Sequence, residues 1–495
     1  MPRTSRTNSL AAVVLAAGKG KRMRSVRPKV LHEVAGRPSL WHVTTAAMAA
    51  RPSKLVFVVG YRGADVEAAV RSWDLAIEPV FVDQGEPLGT GQAAGAAEQA
   101  VGRLQEVLVL SGDDPLVRGQ DVRALMAVHR RTKAAATILT TFVDEPKGYG
   151  RIVRDGTRLV EIVEEADAGP AVRRINEVST LVYAFRREDL YRALPLVGRE
   201  NRQREYYLPD VLSILRDKGE RISAVPVDLG GGLGLNSRGG LATVERIMRS
   251  RIVDDHMRAG VTFVDPDATY VDVGVRIGAD TVIQPMTFLQ GATRIGKGAS
   301  IGPGTRLVDT VVGDGADVTF SVARRARIGP RALVGPYASL RPGTVIEEGG
   351  KVGTFVEMKN TRLGKGSKVP HLAYMGDARI GRGVNVGAGA ITCNYDGYEK
   401  HPTVIGDEAF IGSDTMLVAP LRVGKRAWTG AGSTVTEDVP EGALAVERAK
   451  QRIIRGYDDR ERAGHGGRAP GSKRHTDPPK EQKNASKQKG GSSRA

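Results

Sequence analysis

The sequence predicts an α/β domain followed by a parallel β-solenoid, and three features carry that prediction. Residues 10 to about 240 alternate short apolar runs with helical patterns, as in a mostly parallel sheet covered by helices. From residue 261 to about 436, aliphatic residues recur at every sixth position. Glycine accounts for 61 of 495 residues, well above the usual level of about 7%, which calls for many turns or repeats.

In the first part, strands are predicted over 11–15, 55–59, 107–110 and 137–142, with helices over 39–50 and 91–101. The apolar run 10–17 continues into Gly18-Lys19-Gly20-Lys21-Arg22, so it reads as a buried strand entering a basic loop rather than a signal peptide. No apolar stretch reaches the roughly 18–20 residues that a membrane helix requires. Leu241, Val244, Met248, Ile252 and Val253 fall on one helical face, which predicts a connecting helix over 241–260.

The repeat begins with Ile277, Ile283, Leu289, Ile295, Ile301 and Leu307. It returns at Ile328, Val334, Leu340, Ile346, Val352 and Met358, and again at Ile405, Ile411, Leu417, Val423 and Val435. A period of six fits neither a helix nor a hairpin. It fits a prism of short strands with one aliphatic side chain per face pointing inward. Glycine follows many of these residues (Gly278, Gly296, Gly302, Gly329, Gly335, Gly353, Gly406, Gly412 and Gly424), where it is expected to supply positive φ at the corners. The expected organisation is a flexible N-terminus (1–9), an α/β domain (10–240), a linker helix (241–260), a β-helix (261–456) and a disordered basic tail (457–495).

The net charge of +17 is unevenly placed. Residues 1–29 carry eight basic side chains and no acidic one, and 457–495 carry ten basic against five acidic. Positive charge therefore gathers at a glycine-rich loop and in a tail rather than on a folded face. A phosphate-bearing small substrate accounts for the first, so nucleic acid is not the expected partner. The single cysteine, Cys393, excludes an intrachain disulfide and a cysteine-built zinc site, and fits a reducing cytoplasm. It reads as a buried small residue rather than a nucleophile.

Chemistry-bearing motifs occur in both parts. Leu15-Ala16-Ala17-Gly18-Lys19-Gly20-Lys21-Arg22-Met23, then Arg27-Pro28-Lys29, follows the first strand. Glycines there let backbone N–H groups wrap a phosphate chain, and Arg22 and Lys29 can neutralise it. No Walker-type Gly-Lys-Ser/Thr is present. Ser111-Gly112-Asp113-Asp114-Pro115 ends a buried strand, where Asp113 could ligate a metal or cap a helix. In the repeat, polar and aromatic residues interrupt the aliphatic pattern at Arg341, Lys359, His371, Tyr374, Asn385 and the run Thr392-Cys393-Asn394-Tyr395. A simple solenoid does not need them, so they mark a site.

The loop motif resembles the signature of sugar-1-phosphate nucleotidyltransferases. With the hexads it resembles, over residues 10–450, the bifunctional bacterial N-acetylglucosamine-1-phosphate uridylyltransferase / glucosamine-1-phosphate acetyltransferases. The resemblance implies a Rossmann-like nucleotidyltransferase domain and a left-handed parallel β-helix, as a cytoplasmic homotrimer. It implies that the β-helix acetylates glucosamine 1-phosphate with acetyl-CoA. The first domain would then join UTP and N-acetylglucosamine 1-phosphate, releasing pyrophosphate.

By the same resemblance, Arg22 and Lys29 are catalytic, and Leu15, Ala16, Gly18, Lys29, Gln84, Gly89, Thr90, Gly150, Glu164, Ser179 and Asn236 bind UTP or the nucleotide sugar. Asp113 and Asn236 would hold Mg2+. His371 would be the base of acetyl transfer, with Arg341, Lys359, Tyr374 and Asn385 on the sugar phosphate. Asn394, Tyr395, Ser413, Ala431 and Arg448 would contact acetyl-CoA.

One stretch departs from the pattern. Where the family reads Glu-Val/Ile-Asn-x-Gly, this chain has Glu177-Val178-Ser179-Thr180-Leu181. Ser179 lacks the reach of an amide and Leu181 replaces a glycine, so weaker sugar binding is expected. An enzyme with one inactive or altered half, or a non-catalytic scaffold like some exchange-factor subunits, would share the repeat. Retention of Arg22, Lys29, Asp113, Asn236 and His371 disfavours the scaffold.

Overall fold

The computed structural model describes residues 9–230, 234–467 and 469. Residues up to Glu447 form one compact unit and those from Arg448 a second. In the first unit a nine-stranded sheet runs, in space, through Ile222–Pro226, Ala136–Phe142, Glu177–Arg186, Glu106–Ser111, Leu10–Leu15, Lys54–Val59 and Pro79–Asp83. The hairpin of Arg151–Asp155 and Arg158–Val163 joins it through Arg151. The pairings are parallel except for the hairpin and those of Glu177–Arg186, which runs antiparallel to both its main neighbours.

The apolar strands are buried on both faces because helices cover both. Leu10, Ala12 and Val14 pack with Leu40 and Val43 of the helix Ser39–Met48. Ala11 and Val13 face the other way, onto Ala93, Ala97 and Val101. The expected helix over 91–101 is divided into Thr90–Ala96 and Glu98–Val101. Parallel register sets Leu15 against both Val58 and Ser111. The loops after these strands therefore open at one edge, the usual ligand edge of such sheets.

The connecting helix spans Arg238–Arg258, capped by the Ser237 hydroxyl, which accepts from the Gly240 N–H at 3.1 Å. It belongs to two cores. Val244 packs with Val34, Leu116 and Leu235, whereas Val253 enters the solenoid core. The Glu245 carboxylate accepts from the Ala35 N–H at 2.7 Å, and the Val273 N–H of the solenoid donates to the Ala35 carbonyl at 2.9 Å.

The solenoid has three parallel sheets of eleven, ten and nine strands. Val282 pairs with Ser300, eighteen residues on, so one full coil consumes three hexads. The predicted inward aliphatics are buried, apart from Ile277 on the first coil, which is half-buried against the same core. Between Leu307 and Ile328 the inward positions are Val312, Val318 and Ala323, so steps of five residues mix with steps of six. Residues 394–402 are an insertion between the coil ending at Cys393 and the strand Thr403–Ile405.

The glycines are there for a different reason from the one expected. Of the nine noted, only Gly302 and Gly335 have positive φ. The others lie where consecutive coils stack closely. A Cβ on Gly353 would stand 2.0 Å from the Pro370 carbonyl oxygen, on Gly412 2.6 Å from that of Thr429, and on Gly424 2.5 Å from the Glu441 nitrogen. Positive φ is instead adopted at neighbouring corners, often by side-chain-bearing residues such as Phe320, Tyr337 and Phe355.

Two further expectations are corrected. Tyr457–Gly464, placed in the disordered tail, is a short exposed helix, started by left-handed Gly456 and braced by the Arg462–Asp458 pair at 2.7 Å. The rest of the tail from 470, and residues 1–8, lie outside the described residues. Cys393 is half-buried rather than buried, at the end of the strand Ile391–Cys393 where the insertion begins. Desolvation raises its thiol pKa, which opposes a nucleophilic role.

Two candidate active sites

At the ligand edge of the α/β sheet lies a cleft of about 740 Å3. Its walls include Leu15, Gly18, Arg22, Lys29, Gln84, Gly89, Thr90, Asp113, Gly150, Glu164, Ser179 and Asn236, so residues from distant segments converge. Ala16 does not line it. That side chain is buried, and its N–H donates to the Val58 carbonyl. A larger cavity of about 1230 Å3 lies at the opposite edge, between Glu106 and Arg186, but Arg130, Arg186 and Arg192 there are already paired with acidic side chains.

The loop glycine is required where it stands. Gly20 has φ 62°, and a Cβ on it would meet the Lys29 Cβ at 2.7 Å. The Lys29 stem is thereby pressed against the loop. Its ammonium pairs with Asp113 and donates to the Asn236 side-chain oxygen at 3.2 Å; Arg22 donates to the same oxygen at 3.1 Å. The Ser111 hydroxyl donates to Asp113. Burial alone would raise the Asp113 carboxyl pKa, but the Lys29 charge and these hydrogen bonds hold it below the usual range. Asp114 beside it, which sequence reasoning left without a role, is buried, and desolvation and the Asp113 charge push its pKa well up. Asp113 caps no helix; its partners are Lys29 and Ser111. Asp113 and Asn236 already share one cation, so their oxygens suit a hard divalent ion completed by water and phosphate. Among the described residues no group of three or more His, Cys, Asp or Glu could form an all-protein cage.

Elsewhere on the cleft wall, Gln84 donates to the Gly89 carbonyl at 3.1 Å and to Gln92 at 2.6 Å, which fixes its amide. Gly89 has φ 123°, and a Cβ there would meet the Tyr206 carbonyl oxygen at 2.5 Å. The Thr90 hydroxyl accepts from the Leu208 N–H at 3.0 Å.

Across the cleft, a Cβ on Gly150 would approach Glu164 Oε1 to 3.1 Å. Burial, with Asp210 and Asp167 nearby, raises the Glu164 carboxyl pKa to about 7. The Ser179 hydroxyl lies 3.2 Å from the Tyr183 hydroxyl and accepts from the Leu181 N–H at 3.3 Å, so its polar capacity is largely engaged within the chain. Leu181 has φ 52°, at a bulge between Ser179 and Tyr183, and its side chain lines the cleft.

The second cluster lies on the solenoid. Tyr374 pairs in register with Glu357, whose carboxylate accepts from Arg341 at 2.8 Å. Lys359 pairs with Gly376 on the same sheet. Lys400, from the insertion, comes up against Lys359, and the closeness of the two ammonium groups lowers the Lys359 pKa. Two lysines brought together in this way attract an anion, yet sequence reasoning passed over Lys400. The break in the hexads at 394 was the signal that could have found it. Asp377 accepts from Asn360 at 2.6 Å and from Asn394 at 2.5 Å, fixing the root of the insertion. Tyr395 is exposed, with its hydroxyl turned onto the Gly397 carbonyl at 2.6 Å.

His371 ends the strand Lys368–His371 and is exposed at a corner. That corner climbs one coil at a time: the Gly389 N–H donates to the Leu372 carbonyl, Asp414 to Ala388, and Gly432 to Ser413. Ser413 and Ala431 therefore lie along the same corner as His371. With coils spaced by about 4.8 Å, Ala431 stands roughly 14 Å up the prism. Asn385 pairs with Lys368 of the His371 strand, in the same sheet. Arg448 is the first residue of the second unit.

Comparison with known proteins completes the picture. Residues 12–191 match the MobA-like NTP transferase domain family. Relatives called Bifunctional protein GlmU match nearly end to end. The protein from Carboxydothermus hydrogenoformans is 48% identical over 444 residues, 89% of this chain and 98% of the relative. That from Heliobacterium modesticaldum is 47% identical over 92% of this chain and 98% of its own, and that from Streptomyces avermitilis 46% identical over 92% and 95%.

Proposed function

The chain belongs to the bifunctional GlmU family, and from that premise we propose how its two sites divide the work. It is a two-activity transferase of UDP-N-acetylglucosamine synthesis, with a nucleotidyltransferase domain followed by a left-handed parallel β-helix. The β-helix acetylates glucosamine 1-phosphate from acetyl-CoA, and the first domain converts N-acetylglucosamine 1-phosphate and UTP to the nucleotide sugar and pyrophosphate. The enzyme uses a divalent metal, which we take to be Mg2+. The observation that carries the nucleotidyl assignment is the convergence of Arg22 and Lys29 on Asn236 and Asp113 beneath a glycine loop.

In the first site, Leu15 and Gly18 line the part of the cleft that takes the triphosphate, with Ala16 buried behind them, while Gln84, Gly89 and Thr90 hold the base. Gly150, Glu164 and Ser179 orient the sugar. Asp113 and Asn236 would hold Mg2+, which would supply positive charge against the phosphates. The sugar phosphate attacks the α-phosphorus in line, without a covalent enzyme intermediate. Lys29 and Arg22 counter the charge that develops, so positioning and electrostatics carry the rate.

In the second site, Arg341, Lys359 and Lys400 hold the sugar phosphate, and Tyr374 and Asn385 orient the amine. His371 takes the amine proton as nitrogen attacks the thioester carbonyl, and the CoA thiolate leaves. Asn394, Tyr395, Ser413 and Ala431 contact acetyl-CoA. The stacking of Ser413 and Ala431 above His371 supports this assignment.

A homotrimer covers the exposed stripe of Phe320, Tyr337 and Phe355, whose rings follow one another at 5.6 Å. The enzyme works in the cytoplasm on small molecules. Among the described residues no helix is long and apolar enough to cross a membrane. The test is to supply glucosamine 1-phosphate, acetyl-CoA, UTP and Mg2+, and to assay free thiol and pyrophosphate separately. Both products are expected; the absence of either removes the corresponding site.

A further inference from the structure

Lys29 stands in an unexpected place for a residue assigned to nucleotide phosphates. Its ammonium sits between a carboxylate oxygen of Asp113 and the amide oxygen of Asn236, the two donors assigned to the metal. The site is enclosed: Asp113 is 8% exposed, and the Lys29 stem lies so close to Gly20 that a Cβ there would meet the Lys29 Cβ at 2.7 Å. One pair of oxygens in so small a space cannot hold an ammonium and a divalent ion together, since the two cations would repel at close range in a poorly solvated setting.

We propose that Lys29 and the divalent ion exchange on Asp113 and Asn236, so that metal binding itself releases the Lys29 ammonium into the cleft for the nucleotide. Arg22, which shares the Asn236 oxygen, moves with it. Lys29 then has two successive positions, one on the protein and one on the substrate. Metal and nucleotide cooperate because the first supplies the second with a free cation. The inference rests on the metal assignment given above, and its test separates the two.

The measurement is Mn2+ binding to the full-length, nucleotide-free protein at pH 8, read from the paramagnetic resonance signal of free Mn2+. Exchange predicts that Lys29→Met, which removes the competing charge, tightens Mn2+ binding by about 10-fold, within the usual span of coupling between sites. Unchanged or weaker binding in that variant overturns the exchange. Asp113→Asn is expected to abolish the site. If it binds Mn2+ as well as the unaltered chain, the metal assignment itself fails, whatever Lys29 does.

A second readout needs no variant. Acetylation of lysines by an N-hydroxysuccinimide ester, followed by mass spectrometry, should label Lys29 several-fold faster when Mg2+ is added, with Lys19 and Lys21 of the same loop unchanged. Equal or slower labelling of Lys29 contradicts the exchange.

Discussion

Lowering the pH from 8 to 6 is expected to weaken binding of N-acetylglucosamine 1-phosphate to the first site by about 10-fold, through Glu164. Burial and the nearby Asp210 and Asp167 carboxylates raise the Glu164 pKa to about 7 from an ordinary 4.5. Hydrogen bonds from sugar hydroxyls are stronger to an ionised carboxylate than to a protonated one, so the ionised form is taken as the competent one. With a midpoint near 7, about one molecule in eleven is competent at pH 6 and about ten in eleven at pH 8, and apparent affinity scales with that fraction. The sugar phosphate itself has an ionisation near pH 6, which contributes about 2-fold over the same interval. Glu164→Gln keeps an acceptor oxygen and cannot ionise, so only that 2-fold dependence is expected to remain. Calorimetric titration of both proteins at several pH values reads the difference directly. Parallel profiles for the two proteins, or tighter binding by the unaltered chain at low pH, would refute the reasoning. The sign for stability runs the other way. The folded chain holds this proton more tightly than the unfolded chain, so free protein loses up to about 3 kcal/mol as pH rises from 4.5 through 7.

Three further outcomes are expected. Ser179→Asn together with Leu181→Gly is expected to lower the KM for N-acetylglucosamine 1-phosphate, since the change restores an amide, clears the Leu181 side chain from the cleft and relieves a left-handed residue worth about 1 kcal/mol; steady-state kinetics showing the same or a higher KM would count against it. His371→Ala is expected to cut acetyl transfer by about 100- to 10,000-fold, the range of a general base, while pyrophosphate release is retained; equal loss of both activities would indicate misfolding instead. Gly353→Ala is expected to destabilise the solenoid by about 1–3 kcal/mol, the usual cost of overpacking, because its methyl would sit 2.0 Å from the Pro370 oxygen; hydrogen exchange of neighbouring strands measures it, and unaltered protection there would contradict the packing argument.

Much of this architecture was legible in the sequence because its signals are local. An inward residue every sixth position is a one-dimensional property, and Ile283, Leu289 and Ile301 are all fully buried. The mixed five-residue steps through Val312 and Ala323 escaped notice because they dissolve that period. The role of the glycines was misread for a related reason. Whether Gly412 needs positive φ or bare space depends on the coil above it, which lies seventeen or eighteen residues away, and no dipeptide reveals that distance. In the cleft, motifs gave the membership of Lys29, Asp113 and Asn236 but not their mutual contacts. Those arise from a residue separation of 207 between Lys29 and Asn236. Lys400 was missed because its significance lies in meeting Lys359, a contact created by an insertion that the repeat does not encode.

The helix Arg238–Arg258 has a practical implication for anyone dividing this enzyme. With Val244 buried in one core and Val253 in the other, and the turn at Ala35 hydrogen-bonded to both Glu245 and Val273, there is no clean place to cut. A truncation before the helix strips Val34 and Leu116 of their cover, and one after it leaves Val253 without Phe263 and Val261. Either fragment would carry a newly wetted apolar scar. Separate expression of the halves therefore calls for repair of that surface, not merely a choice of endpoint.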